Sequence, residues 1–222
     1  MGTLYLVRHG QASFGAADYD RLSELGQRQC AALGAYLQAR GLHFDGVLRG
    51  TLLRHRQSLE AIASELPALP PAIEWPGLNE YDPQAVLHAV QARPVASAGT
   101  PEGHREHFRL LRDGLAQWMA GKVQPEGMSN WDGFVAGVST ALDHVRAEFG
   151  GNVLLVSSGG PIATAVAQVL GAPPAAVIEL NLRIRNSALT EFAFTPKRHA
   201  LLSFNTLPHL EHPDRAGWVT YT

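Results

Sequence analysis

Short β-favouring apolar runs alternate with amphipathic helical patterns from the first residues onward, and that alternation constrains the chain more than any other feature. "LYLV" at 4–7 is too short for a helix and apolar throughout, as a strand buried in a parallel sheet would be. Ser23 can cap the helical pattern that follows, in which Leu25, Leu33 and Leu37 share one face and which Gly41 ends. A second strand is predicted at 44–49, then a helix from about Leu52 to Glu65 that the proline-rich "LPALPP" stops. "AIEW" reads as a third strand and "PGLNEYDP" as a loop. Such repetition requires right-handed crossovers, and hence α/β layers.

Between Asp82 and Gly151 the pattern breaks. Three helical patterns and no strand are visible there, with a Gly/Pro-containing link at 94–103. Phe108, Leu111, Leu115 and Trp118 share one helical face; Phe134, Val138, Leu142 and Val145 share another. These stripes predict a helical insertion at about 82–151, packed beside the sheet. "NVLLVSSGGPIATAVAQVLG" restores strand, turn and helix, with Pro161 near the first helical turn and Gly171 past the end. "SALTEFAF" and "HALLSFN", joined at "TPKR", predict an antiparallel hairpin at the sheet edge. The expected fold is an α/β three-layer sandwich: a mostly parallel central sheet, helices on both faces, the helical insertion and the C-terminal hairpin.

Composition narrows the partners. A net charge of −2 over 222 residues gives no general attraction to nucleic acid or anionic membrane, so any anion must be held by a local cluster. No run approaches the ~20 apolar residues of a membrane span, and the N-terminus shows no secretory pattern. The one cysteine, Cys30, excludes an internal disulfide and reads as a small buried hydrophobe; a cytoplasmic location fits. His43, His88, His104, His107, His144, His199, His209 and His212 show no metal-ligand spacing and read as scattered surface histidines. His55, next to Arg54, can turn inward.

In an open α/β sheet, ligands bind beyond the carboxyl ends of the strands. The first strand presents Arg8, His9 and Gly10 there; the second leads within a helical turn to Arg54, His55 and Arg56. The third leads to Glu80, and the fourth to Ser157, Ser158, Gly159 and Gly160 before a helix. Singly, each has an ordinary structural explanation: an ion pair, a solvated helix face, a cap, a tight turn. Together they make a site for a phosphoryl group. Arginines hold its oxygens in bidentate fashion, a helix N-terminus donates N–H groups, a histidine can attack phosphorus and a carboxylic acid can protonate the leaving oxygen.

"LYLVRHG", "LSELGQRQ", "LRGTLLRHRQSLEAI", "GLNE" and "VLLVSSGGPI", in this order from about Thr3 to Phe194, resemble the histidine phosphatase superfamily, the phosphoglycerate-mutase-like proteins. The resemblance implies one such domain over 1–222, with His9 the nucleophile that becomes phosphohistidine. It implies that Arg8 and Arg54 bind the phosphoryl oxygens and that Glu80 is the general acid; Ser158 and Gly159, at the start of the late helix, are expected to bind the phosphate with them. Two departures stand out. Gln11, Ala12 and Gly15 occupy positions where the family commonly has an acidic residue, Ser or Thr, and Asn. Ser158 stands where the family's second histidine normally precedes the late Gly-Gly.

The leading expectation is therefore a metal-independent phosphatase, without cofactor, that hydrolyses a small phosphorylated substrate through His9, weakly or with narrow specificity. Mutase activity is less favoured. The alternative is a degenerate phosphate-ester-binding protein with little or no turnover. Serine hydrolysis through Ser158 is disfavoured, because a nucleophile elbow needs glycine where Val156 stands. Substrate identity and oligomeric state are left open.

Overall fold

The computed structural model describes residues 1–13, 20–66, 68–90 and 101–221. The chain runs β1 (Gly2–Arg8), α1 (Glu24–Ala39), β2 (Gly46–Arg49), α2 (Leu53–Ala63), β3 (Ala72–Glu74), α3 (Pro83–Val90), α4 (Pro101–Met119), α5 (Trp131–Glu148), β4 (Asn152–Ser157), α6 (Gly159–Leu170), α7 (Pro174–Asn181), β5 (Leu189–Thr195) and β6 (Arg198–Thr206). Short 3₁₀ turns lie at Pro76–Leu78, Pro208–Leu210 and Pro213–Trp218. The link expected at 94–103 falls largely outside the described residues.

The six strands form one sheet in the order β3-β2-β4-β1-β5-β6. The first four are mutually parallel; β5 runs antiparallel to β1 and β6 antiparallel to β5, so the predicted hairpin forms one edge. Side chains alternate across a strand, and β1 shows what that does here. Leu4 and Leu6 join Val153 and Leu155 on one face, under Val138, Leu142 and Val145 of α5 and Ile162 and Val166 of α6. Tyr5 and Val7 join Leu154 and Val156 on the other, under Cys30, Leu33 and Leu37 of α1 and Ile62 of α2. A strand covered on both faces must be apolar at every position, which is why "LYLV" shows no alternation. Burying each such leucine contributes about 2 kcal/mol.

The three helices of 82–151 divide their roles. α5 is a layer of the sandwich, because its Val138, Ala141, Leu142 and Val145 stripe lies on the sheet. α3 and α4 form a smaller apolar cluster, with Val86, Leu87, Leu111, Leu115 and Trp118 packed beside Ile178 of α7. Phe108, expected on that face, is 43% exposed instead. Cys30 is fully buried, and burial pushes its thiol up to about 11. Among the described residues, no helix is long and apolar enough to cross a membrane.

Candidate active site

The register of β1 and β4 sets Arg8 opposite Ser157, so "RHG" and "SSGG" leave the sheet side by side. The backbone of His9 is tied to two neighbouring elements. Its N–H donates to the Ser157 carbonyl at 2.9 Å, and its carbonyl accepts from the Ser187 N–H at 3.1 Å, just before β5. The next N–H, that of Gly10, donates to Ser58 Oγ on α2 at 3.0 Å. A Cβ at Gly10 would lie 2.3 Å from the Gly26 carbonyl oxygen of α1, so only glycine lets this turn press against that helix.

The His9 ring is 4% exposed, with Nδ1 2.7 Å from the Gly10 carbonyl oxygen. A carbonyl only accepts, so Nδ1 carries the hydrogen and Nε2 keeps a lone pair. Burial, and then the charges of Arg8, Arg54 and His55, hold the imidazole well below its ordinary pKa; the Gly10 carbonyl opposes them weakly. The outcome is a neutral, oriented imidazole, the form that attack by nitrogen needs.

Arg54 enters the site from the first turn of α2. Its Nη1 pairs with Asp20 at 2.7 Å, and the same carboxylate accepts the Leu53 N–H at 2.7 Å. Asp20 thus caps α2, whose own cap position, Leu52, has no acceptor to offer. Buried Nε of Arg54 has no hydrogen-bond partner among the described residues. Arg8 donates through Nη1 to the Ile184 carbonyl, and to the Tyr221 carbonyl at 3.0 Å, fastening the C-terminal segment to the site.

Glu80 follows the 3₁₀ turn at Pro76–Leu78 and accepts the Gly160 N–H on both oxygens at 3.1 Å. Burial raises its pKa against the pull of that N–H and of Arg54 and Arg8, so the net direction favours a protonated acid. Gly159, the first residue of α6, is buried; a Cβ there would meet Asn181 Oδ1 at 2.3 Å. The structure therefore gathers Arg8, His9, Arg54, Glu80, Ser158 and Gly159 at the carboxyl edge of the sheet.

Three placements differ from the expectations. The Gly160 N–H at the α6 terminus is directed to Glu80, so the carboxylate shares the helix terminus expected to serve phosphate. Ser158 bonds to a histidine from another element: His55 is fully buried, with Nε2 2.7 Å from Ser158 Oγ and its ring centroid 5.9 Å from that of His9. "RHRQ" hid this, because Arg56 beside it is indeed solvated. His209 is not a surface histidine. It is 3% exposed, its Nε2 lies 2.9 Å from Ser187 Oγ, and burial with the Arg215 charge pushes its pKa down to about 3. Of the rim positions, Gln11 accepts from the Ser23 hydroxyl at 2.9 Å, Ala12 is buried, and Gly15 lies outside the described residues.

The model of the histidine phosphatase superfamily (branch 1) matches residues 4–207. Among solved structures, Bacillus stearothermophilus YhfR is 18% identical, with TM-score 0.70 over 95% of this chain and 100% of that one. The mycobacterial glucosyl-3-phosphoglycerate phosphatase is 20% identical, with TM-score 0.67 over 93% of this chain and 99% of that one. A phosphoserine phosphatase from Entamoeba histolytica, solved with phosphoserine, is 21% identical, with TM-score 0.64 over 95% and 100%. An uncharacterized protein of Picosynechococcus is 42% identical over 66 residues; the match spans 28% of this chain and 39% of that relative's length.

Proposed function

The chain belongs to the histidine phosphatase superfamily, and from that premise we propose that it hydrolyses a small phosphate monoester through a phosphohistidine on His9. The observation that carries this is the His9 ring: buried, neutral, its Nδ1–H held by the Gly10 carbonyl and its Nε2 lone pair left for attack. Arg8 and Arg54 supply the positive charge beside it, and Glu80 has its pKa raised toward the protonated form a general acid needs.

Nε2 attacks phosphorus, the ester P–O bond breaks in line, and Glu80 gives its proton to the departing alkoxide. A water then attacks the phosphohistidine, the P–N bond breaks, and the Glu80 carboxylate takes the water's proton. Inorganic phosphate leaves and the starting protonation is restored. The two guanidinium groups stabilise the equatorial oxygens throughout, which is the main task in phosphoryl transfer.

The test is a phosphomonoester screen in the presence of a chelator, with wild type and His9→Ala in parallel. Turnover lost in His9→Ala, with acid-labile, base-stable phosphate trapped on the wild-type chain, is the expected result. Equal activity in the two proteins removes His9 from the mechanism. Phosphate or vanadate binding without turnover of any monoester identifies a binding protein instead.

A further inference from the structure

We infer that His55 is a positioning residue for phosphoryl transfer: its Nε2–H holds the Ser158 oxygen so that the serine's own proton is aimed at the transferring phosphoryl group. The inference rests on the phosphatase reading above and adds a part to its machinery that neither Arg54 nor Ser158 supplies alone.

Four observations carry it. Ser158 occupies the N-cap position of α6, where a serine oxygen ordinarily accepts a helix N–H, yet its side chain makes no capping bond. The hydroxyl is engaged with His55 Nε2 at 2.7 Å instead. Both side chains are fully buried, and the His55 ring lies 5.9 Å from the ring of the proposed nucleophile. Finally, Nδ1 of His55 has no hydrogen-bond partner among the described residues.

The last point fixes the direction of the bond. A Cβ at Gly50 would lie 2.2 Å from His55 Nδ1, so the glycine hydrogen in that direction points at this nitrogen. A lone pair tolerates that contact; a second hydrogen does not. Orphaned buried N–H groups are also rarer than under-satisfied acceptors. Nδ1 is therefore bare, and the one ring hydrogen is on Nε2, facing Ser158. A serine oxygen that accepts from His55 has its own hydrogen left to donate. It stands at the end of β4, beside Gly159 and next to the strand that presents His9. In the transition state that neutral, oriented donor is offered to a phosphoryl oxygen.

The same two residues could be read as a serine nucleophile with its base. The geometry disfavours it: among the described residues Nδ1 meets no carboxylate that would orient the ring and stabilise an imidazolium, and burial and the charges of Arg54 and Arg49 oppose one.

The experiment is a double-mutant cycle with His55→Phe, Ser158→Ala and the double variant, plus His55→Gln, which keeps an N–H donor near the position of Nε2. Para-nitrophenyl phosphate reports turnover, and calorimetric binding of orthovanadate, which mimics the five-coordinate transition state, reports the site without turnover. Ser158→Ala is expected to lower kcat about 100-fold with KM little changed. His55→Phe should match it within about threefold, the double variant should fall no further, and His55→Gln should recover part of the loss. Vanadate affinity should follow the same non-additive pattern. Additive losses, or full kcat and vanadate affinity in His55→Phe, overturn the inference. A wild type that turns over no phosphomonoester sinks the phosphatase reading, while the vanadate cycle still decides the role of His55. Acetate-ester hydrolysis that needs Ser158 and His55 but survives in His9→Ala would assign the pair to acyl transfer and overturn both.

Discussion

His9 and Glu80 are driven toward the forms that phosphoryl transfer requires by the same cause, burial, acting with opposite sign on a base and an acid. Each has a measurable consequence. Because the His9 imidazole titrates well below its ordinary value, kcat/KM should show no loss centred near pH ~6.5 as the solution is acidified. A His9 ring signal that titrates near pH ~6.5 by NMR would show the ring to be solvated. Glu80→Gln should lower kcat/KM for alkyl phosphates, whose leaving oxygen needs a proton, by about 100-fold or more, and spare kcat/KM for an activated aryl phosphate, because this parameter reports the first transfer and not the hydrolysis of the phosphohistidine. Raising the pH through the Glu80 pKa should lower the alkyl-to-aryl rate ratio in wild type and leave it flat in Glu80→Gln. Equal losses on both substrate types would make Glu80 a structural partner of the Gly160 N–H. Arg54→Lys should also be severe, because an ammonium lacks the rigid planar fork by which the guanidinium pairs with Asp20 through Nη1 and keeps Nε–H at a fixed angle.

The loop that carries Glu80 is held by the Ser157 hydroxyl, which donates to the Leu78 carbonyl at 2.7 Å, and by a contact between two elements. Gly77, in the turn at Pro76–Leu78, touches Gly137 of α5 backbone to backbone; a Cβ there would lie 2.5 Å from the Gly137 carbonyl oxygen. Gly77→Ala should therefore push the turn off α5, costing about 1–3 kcal/mol of stability and lowering kcat on alkyl phosphates more than on aryl ones. A variant with wild-type leaving-group dependence would show that Glu80 is placed independently of this contact. The elements themselves were largely legible in the sequence, because burial on two sheet faces writes itself as "LYLV" and "VLLVS", and amphipathic burial as the stripes of α1 and α5. What was not legible depended on pairings across the chain. Leu33 and Val138 announce a buried face, but nothing near Phe108 says that its stretch of α4 turns to solvent. The α7 helix was unforeseen, since "PAAVIELN" has only a weak stripe, with Val177 and Ile178 buried. That Arg8, His9, Arg54 and Glu80 would lie together could be read from their positions after strand ends. The bond from His55 to Ser158 spans 103 residues and has no local signature.

Among the described residues, three buried histidines, His9, His55 and His209, tie the stability of the fold to pH. Each has its pKa lowered in the folded state, chiefly by burial, so the unfolded chain binds protons that the folded chain refuses. Stability is then fully present above the unfolded value of ~6.5 and is lost as pH falls toward the folded values. For His209, folded at about 3, the loss begins near 6.5 and continues to about 3. At about pH 5, roughly 1.5 units below the unfolded value, it amounts to about 2 kcal/mol. The consequence reaches the site through the C-terminal segment. His209 anchors that segment to Ser187, whose N–H is bonded to the His9 carbonyl, while Thr220 and Tyr221 lie on Asn186 and Arg8. Trp218 and Thr220 are also held by Gln29 of α1, at 2.6 and 3.0 Å. His209→Gln keeps a polar group for the Ser187 hydroxyl but cannot take up a proton. Its melting temperature should fall less than that of wild type between about pH 7.5 and pH 5, whatever its value at the higher pH. Its phosphate affinity should also survive acidification better, because the segment fastened to Arg8 stays in place. Parallel melting curves for the two proteins across that range would mean that His209 is solvated in the native state and that acid loosens the fold elsewhere.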